Sequence, residues 1–439
     1  MLGPRPRTLP IAPKAPPARR NLPLAETARE LDRQARPLYT VWELTLRCDL
    51  ACRHCGSRAG RARPDELSTA EAVALVSQLA ALGTKEVTLI GGEAYLHDGW
   101  LEVAKAIADH GLEMTMVTGG RGMDAEKARG LAAVGCKGVG VSVDGLEPRH
   151  DQLRGVTGAF ESAIHAIRVL KEAGLRVTSN TQIARPALLD IEPLLERLAD
   201  EGIAAWQVSM TVPMGRAADE PELLLQPYQV LEVLPLVARI ERRLRARDID
   251  VAPGNDIGYF GPYEEQLRGN LPLGHRPACS AGSLTLGIEA DGSVKGCPSL
   301  PSKDYVGGNV RDDALVDIWE RADALRFTRD RSSRELWGFC ESCYYADSCL
   351  GGCSWTAHVL FGKRGNNPYC HHRALELLAD GKREIIRQVE KPEGLPFDYG
   401  RFECVVEGWP TEELAAARRL AETGEGFLPS TLNAAGRQS

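Results

Sequence analysis

Three cysteines within eight residues, Cys48, Cys52 and Cys55, close the short apolar run 41–46 and are followed by the small residues Gly56 and Ser57. A disulfide framework would strand one of the three. An iron–sulfur cluster takes three thiolates and leaves one iron open to chemistry. Of the twelve cysteines in the chain, ten fall into two groups: these three, and seven in the rear half at Cys279, Cys297, Cys340, Cys343, Cys349, Cys353 and Cys370. A reducing compartment discourages structural disulfides, so thiols clustered in this way read as metal ligands. Cys136 and Cys404 stand apart and read as small buried apolar residues.

The rest of the composition narrows the setting. A net charge of -7 and a pI near 5.8 argue against a nucleic-acid partner gripped by global charge. No stretch reads as the run of about eighteen apolar residues that spans a membrane, and the N-terminus lacks an apolar signal core. The expected location is cytoplasmic. With 439 residues the chain exceeds one ordinary core, so two domains plus tails are expected. Residues 1–38 are rich in proline and arginine without apolar period and read as a disordered, solvated tail.

From residue 41 short β-like runs alternate with helical patterns. The runs are 41–46, 86–90, 113–118, 138–143, 176–183 and 205–212, and the helical patterns are 68–82, 98–110, 124–134, 158–173, 187–201 and 227–247. Ser68 carries an N-cap signature, and Gly83, Gly111, Gly174 and Gly202 follow helices as C-caps do. Six such units predict an α/β fold: a partial (β/α)6 TIM barrel over 39–250, with a parallel sheet and crossover helices. Its active rim lies at the C-terminal ends of the strands. The cysteine loop is there, with Gly91-Gly92-Glu93 after the second strand, Thr118-Gly119-Gly120 after the third, and Ser142 and Asp144 at the end of the fourth.

This combination resembles the radical S-adenosylmethionine (SAM) enzymes, over about 40–250. The resemblance implies that Cys48, Cys52 and Cys55 hold a 4Fe–4S cluster whose open iron is chelated by SAM. It assigns Gly91, Gly92 and Glu93 to the SAM amino group, Ser142 and Arg154 to its carboxylate and ribose, and Thr118 to the same site. Asn180 is either a ribose contact or a buried amide that satisfies a neighbouring loop. Backbone near Val208 to Met210 would receive the adenine. His54 would pack over the cluster rather than ligate it, and Gly119 replaces a more common asparagine.

The rear cysteines are similar to the SPASM auxiliary-cluster domain, placed at 276–375 after a linker at 251–275. Asp291-Gly292 signals a hairpin that brings Cys279 and Cys297 together. The resemblance implies that Cys340, Cys343, Cys349 and Cys370 hold an outer auxiliary cluster of 4Fe–4S type. Cys279, Cys297 and Cys353 would hold an inner one, completed by a non-cysteine ligand or left with an open iron. His371 and His372 read as surrounding residues rather than ligands. In the linker, Asn255, Asp256 and Tyr259 either pack between domains or face substrate. Residues 376–439 are expected to form a helical extension and tail, with a helix over 374–390, a strand-like piece at 397–406 and a helix near 411–422.

Auxiliary clusters suit a reaction in which a substrate radical loses a further electron. The resemblance therefore implies an oxidative peptide modification, a crosslink or dehydrogenation, supplied with electrons by a flavodoxin or ferredoxin. Pro298 stands where sulfatase-maturing relatives carry aspartate. About 40 irregular residues precede the first strand, so leader-peptide capture would need a separate protein or the C-terminal tail. The alternative is a dehydrogenase or epimerase of a small metabolite. A third reading, a non-catalytic electron carrier, gives Gly91-Gly92-Glu93 and Arg154 no role.

Overall fold

A computed structural model describes residues 23–254, 256–258, 260–269 and 279–436. Asn255, Tyr259 and residues 1–22 of the expected tail lie outside them. Six parallel strands form the expected series: β1 (Tyr39–Glu43), β2 (Glu86–Ile90), β3 (Glu113–Thr118), β4 (Gly138–Ser142), β5 (Val177–Ile183) and β6 (Ala205–Met210). Each feeds a helix on the outer face. The side chains pointing that way, among them Trp42, Leu89, Met114, Val141, Trp206 and Val208, are fully buried, which is the pattern of a sheet layered by helices.

The sheet does not stop at six strands. β7 (Asp250–Pro253) pairs parallel to β6 at one edge, while β8 (Thr285–Ile288) pairs parallel to β1 on the other side. β9 (Ser293–Lys295) and β10 (Gly308–Asn309) follow antiparallel. The start of the expected linker is therefore a strand. Pro253 is tolerated because β7 is an edge. The hairpin at Asp291-Gly292 forms, with Gly292 at φ +84°, and it continues the barrel sheet into the cysteine-rich half.

A buried charge network pins this continuation. Arg63 pairs with Glu43 on β1 at 3.0 Å and with Glu289 after β8 at 3.1 Å, and Lys295 pairs with Glu289 at 2.7 Å.

Two further stretches differ from expectation. Within the stretch read as a tail, the helix Glu30–Gln34 docks through buried Asp32, which pairs with Arg326 at 2.9 Å and Arg329 at 3.4 Å. The helix expected over 374–390 ends at Ala379, because Gly381 turns at φ +70°. β11 (Lys382–Glu390) then runs antiparallel to β12 (Arg401–Gly408) as a separate two-stranded sheet. The helix Thr411–Thr423 follows as expected. One helical stretch, 221–245, is long and apolar enough to cross a membrane, but 89% of its most apolar window is buried inside the protein.

Candidate active site

The cysteine loop is shaped by its neighbours on the rim. Gly92 N–H donates to the Thr45 carbonyl at 2.8 Å and Glu93 N–H to that of Arg47 at 2.7 Å. This lays the second βα turn against the chain leading into Cys48. A Cβ on Gly91 or Gly92 would run into those same two carbonyls, so glycine is required by close approach rather than by turn angle. On the other side, Ala51 N–H and Arg53 N–H donate to the carbonyls of Arg154 and Leu153 at 3.1 and 2.8 Å, which ties the loop to the helix Glu147–Arg154.

Glu93 is buried, and its Oε2 accepts the Gly119 N–H at 2.9 Å. Burial pushes its carboxyl up to about 8, against hydrogen bonds from Thr118 and Gly119. Its Oε1 is buried without a hydrogen-bond partner. A buried, unpartnered carboxyl oxygen calls for a hydrogen-bond donor, and the N–H of the SAM amino group is one. Gly119 has its own reason: a Cβ there would strike Leu50.

Arg154 has two side-chain engagements and one free nitrogen. Nη1 points at the Cys52 sulfur at 3.7 Å, Nη2 pairs with Asp144 Oδ2 at 2.7 Å, and Nε is buried without a partner. The free Nε fits a ligand carboxylate. His54 does not simply lie over the cysteine loop: its Nε2 is 3.1 Å from Asp144 Oδ2, and both side chains are buried. Burial alone would push the Asp144 carboxyl up, yet Arg154 and then His54 hold it well below the usual carboxylate range. Ser142 and Asn180 are register partners on adjacent strands, half-buried on the inner face.

The backbone near the end of β6 is committed elsewhere. Met210 N–H donates to Asp256 Oδ2 at 2.7 Å, and the Val208 carbonyl accepts the Gly254 N–H at 2.7 Å. Asp256 is thus a buried brace for the rim, its carboxyl pushed up to about 7 by burial.

The rear thiols form two sets. Cys340, Cys343, Cys349 and Cys370 line one pocket with Phe260, Tyr345 and His372. Burial, and then the neighbouring Cys370, pushes the Cys349 thiol up to about 12. Cys279 and Cys297 pack against Ala281, Leu300, Tyr305 and Phe327. Cys353, at the start of the helix Ser354–Phe361, is raised to about 12 by burial and then by Cys279. Among the described residues, no three His, Cys, Asp or Glu side chains are grouped as a lone ion requires. Four thiols around a pocket suit a polynuclear cluster, which spans more space than one tetrahedral ion. His371 is buried and its ring pushed down to about 4 by burial, while His372 meets Tyr345 edge-on at 5.1 Å.

Cys136 is buried with its thiol 3.4 Å from the Gly138 carbonyl, away from both sets. Sequence reading missed Arg58 and Asp398, which join the cysteine loop to the C-terminal segment, and the contact of Trp355 Nε1 with Met214 Sδ at 3.3 Å. Nothing in the local pattern marks them, because their partners lie well over a hundred residues away.

Comparison with known proteins agrees with this geometry. Residues 42–211 match the model of the radical SAM superfamily, and 279–344 that of an iron–sulfur cluster-binding domain, SPASM. An AdoMet-dependent heme synthase of Nitratidesulfovibrio vulgaris is 30% identical, the match covering 76% of this chain and 92% of the relative. The chain belongs to the radical SAM superfamily. Its cofactors are SAM, the cluster that SAM meets, and auxiliary iron–sulfur clusters. The mycofactocin maturase MftC of Mycobacterium ulcerans is likewise 30% identical, over 72% of this chain and 83% of its own.

Among solved structures, native anSMEcpe with bound AdoMet superposes with a TM-score of 0.61 at 17% identity, covering 77% of this chain and 96% of that one. Streptococcus suis SuiB bound to S-adenosylmethionine gives 0.60 at 17% identity, covering 76% of each chain. These two likenesses concern the fold.

Proposed function

We propose that this radical SAM/SPASM enzyme oxidatively modifies a peptide, forming a crosslink or a dehydrogenated residue. Bound SAM, reductively cleaved, supplies a 5'-deoxyadenosyl radical that takes a hydrogen atom from the substrate. In this reading Cys48, Cys52 and Cys55 hold the first cluster. Gly91, Gly92 and Glu93 receive the SAM amino group, Ser142 and Arg154 the carboxylate, and Asn180 the ribose beside Thr118. Cys279, Cys297 and Cys353 hold the inner auxiliary cluster, and Cys340, Cys343, Cys349 and Cys370 the outer one. A flavodoxin or ferredoxin supplies electrons.

The observation that carries the peptide reading is the inner face of the barrel. The strand positions facing inward, read from the register and from the burial of their neighbours, include Val41, Ile90, Val117, Ser142, Asn180, Gln182, Gln207 and Ser209. None of the inward positions on β1 to β8 is lysine or arginine. Gln182 and Gln207 are exposed there, so the lumen is open, polar and without cations on its strands. Such a surface suits amide groups better than a polycarboxylate. The second reading, oxidation of a small metabolite, is favoured by the match to an AdoMet-dependent heme synthase of Methanosarcina barkeri, which covers 97% of that relative.

The test is anaerobic reconstitution, then incubation with SAM, a reductant and short candidate peptides, among them any that is found encoded beside the gene. The expected result is 5'-deoxyadenosine together with a peptide lighter by two hydrogens. Turnover of carboxylated small molecules, with the peptide untouched, would favour the second reading. Absence of any SAM cleavage would argue for the electron carrier.

A further inference from the structure

Asp144 is buried in the barrel rim and stands among four partners. Its Oδ2 meets Arg154 Nη2 at 2.7 Å and His54 Nε2 at 3.1 Å, its Oδ1 accepts the Gln182 N–H at 2.9 Å, and its own N–H donates to His150 Nδ1 at 3.1 Å. The carboxylate is therefore fixed by β4, β5, the cysteine loop and the helix Glu147–Arg154 at once. Arg154 in turn reaches Cys52 at 3.7 Å with Nη1. His54 lies within the cysteine loop itself, between Cys52 and Cys55. Burying a carboxylate, a guanidinium and an imidazole together is costly unless the arrangement serves a purpose.

We infer that Asp144 and His54 are positioning residues that hold Arg154 against the Cys52 sulfur and balance its charge, setting the reduction potential of the cluster at the front cysteines. The inference rests on the reading of Cys48, Cys52 and Cys55 as that cluster's ligands. The sign of each charge follows from electrostatics. Reduction adds one electron to the cluster, so a cation beside a ligand sulfur favours the reduced form and raises the potential, and an anion behind that cation lowers it. In a site where only a few groups reach the sulfur, Asp144 thus offsets part of the effect of Arg154. The pair also leaves Arg154 Nε buried and without a partner, so the same guanidinium keeps one donor unused. His54 gives Asp144 its second side-chain partner and ties its position to the loop that carries the ligands.

The test is a redox titration of the reconstituted full-length protein without SAM, following the part of the reduced-cluster EPR signal that is lost in Cys52→Ala. Asp144→Asn removes the anion and is expected to raise the midpoint potential by at least a tenfold change in the one-electron equilibrium, about 59 mV. Arg154→Gln removes the cation and is expected to lower it. Opposite shifts are the signature, because a merely structural role would loosen the site in the same way in both variants. Asp144→Glu keeps the charge and should stay near the unmodified value. If Asp144→Asn fails to retain iron, Arg154→Gln and Asp144→Glu carry the test. Shifts of the same sign, or none in a variant that retains its front cluster, would overturn the inference. Failure of Cys52→Ala to lose any part of that signal would instead overturn the ligand reading beneath it.

Discussion

Asp398, in the segment between β11 and β12, accepts the Nε–H of Arg58 at 2.7 Å, three residues beyond Cys55. The C-terminal segment, outside both matched family regions, is thereby part of the support of the cysteine loop. Gly215 N–H donates to the Asp398 carbonyl at 2.8 Å and Arg216 N–H to that of Cys55 at 2.9 Å, so two distant stretches meet at the loop. Both side chains of the pair are largely buried.

Asp398→Ala removes one charge-assisted hydrogen bond and leaves Arg58 held by Asp219 and the Gly215 carbonyl, so the expected destabilisation is about 1.5–3 kcal/mol. The same variant should lose iron to a chelator faster than the unmodified protein. Denaturant titration and iron release measure the two effects. A variant with unchanged midpoint and unchanged iron release would show that the contact carries no weight.

Glu93 gives a pH dependence. Its carboxyl is raised by burial to about 8, so below that pH the free protein holds it protonated. Binding the SAM amino group as a donor to ionised Glu93 releases this proton. SAM affinity should accordingly rise with pH up to about 8 and level off above it. Glu93→Gln should weaken SAM at least tenfold at pH 8 and remove the slope, with the iron content unchanged. Calorimetry in two buffers of different ionisation heat would read the proton release directly.

Lys295 is fully buried, with Nζ 2.7 Å from Glu289, 2.7 Å from the Leu300 carbonyl and 3.0 Å from that of Pro298. The ring of Phe397 lies 3.8 Å away. Lys295→Met leaves Glu43 and Glu289 sharing Arg63 alone. The expected loss is roughly 3–5 kcal/mol in urea unfolding, larger than for any exposed lysine. A loss within the range of a surface substitution would mean that the two glutamates take up protons without cost.

The barrel was legible because its strands and helices alternate with clear periods and glycine stops. Parallel strands buried on their helix face, such as β2 and β3, announce themselves by composition. Elements with weaker signals were not read. The helix Glu147–Arg154 has three buried residues, His150, Leu153 and Arg154, in a polar run, so no apolar stripe marked it. β7 is four residues long and ends in proline. The charges of β11 continue the pattern of the preceding helix and mask the strand. The Asp380-Gly381 pair and the β-branched Ile385, Ile386 and Val389 were the available signals. At the site, thiol spacing could group the cysteines, but not show that Asp144 joins His54 to Arg154, since that contact depends on how β4 and the loop after β1 lie beside each other.

Glu232 offers a stability test away from the clusters. It is buried in the helix Val230–Arg245, where Oε1 accepts the Leu428 N–H at 2.8 Å and Oε2 accepts from Thr431 at 2.9 Å and Gln229 at 3.1 Å. It thus ties the C-terminal helix to the core. Burial pushes its carboxyl up to about 7 from 4.5, against those hydrogen bonds. Between these values the folded protein binds a proton that the unfolded chain has released, so this group's contribution to stability falls as pH rises and levels off above about 7. The melting temperature of the unmodified protein should drop between pH 5 and pH 8 by more than that of Glu232→Gln, which cannot ionise. Equal drops in the two proteins would remove Glu232 as the source.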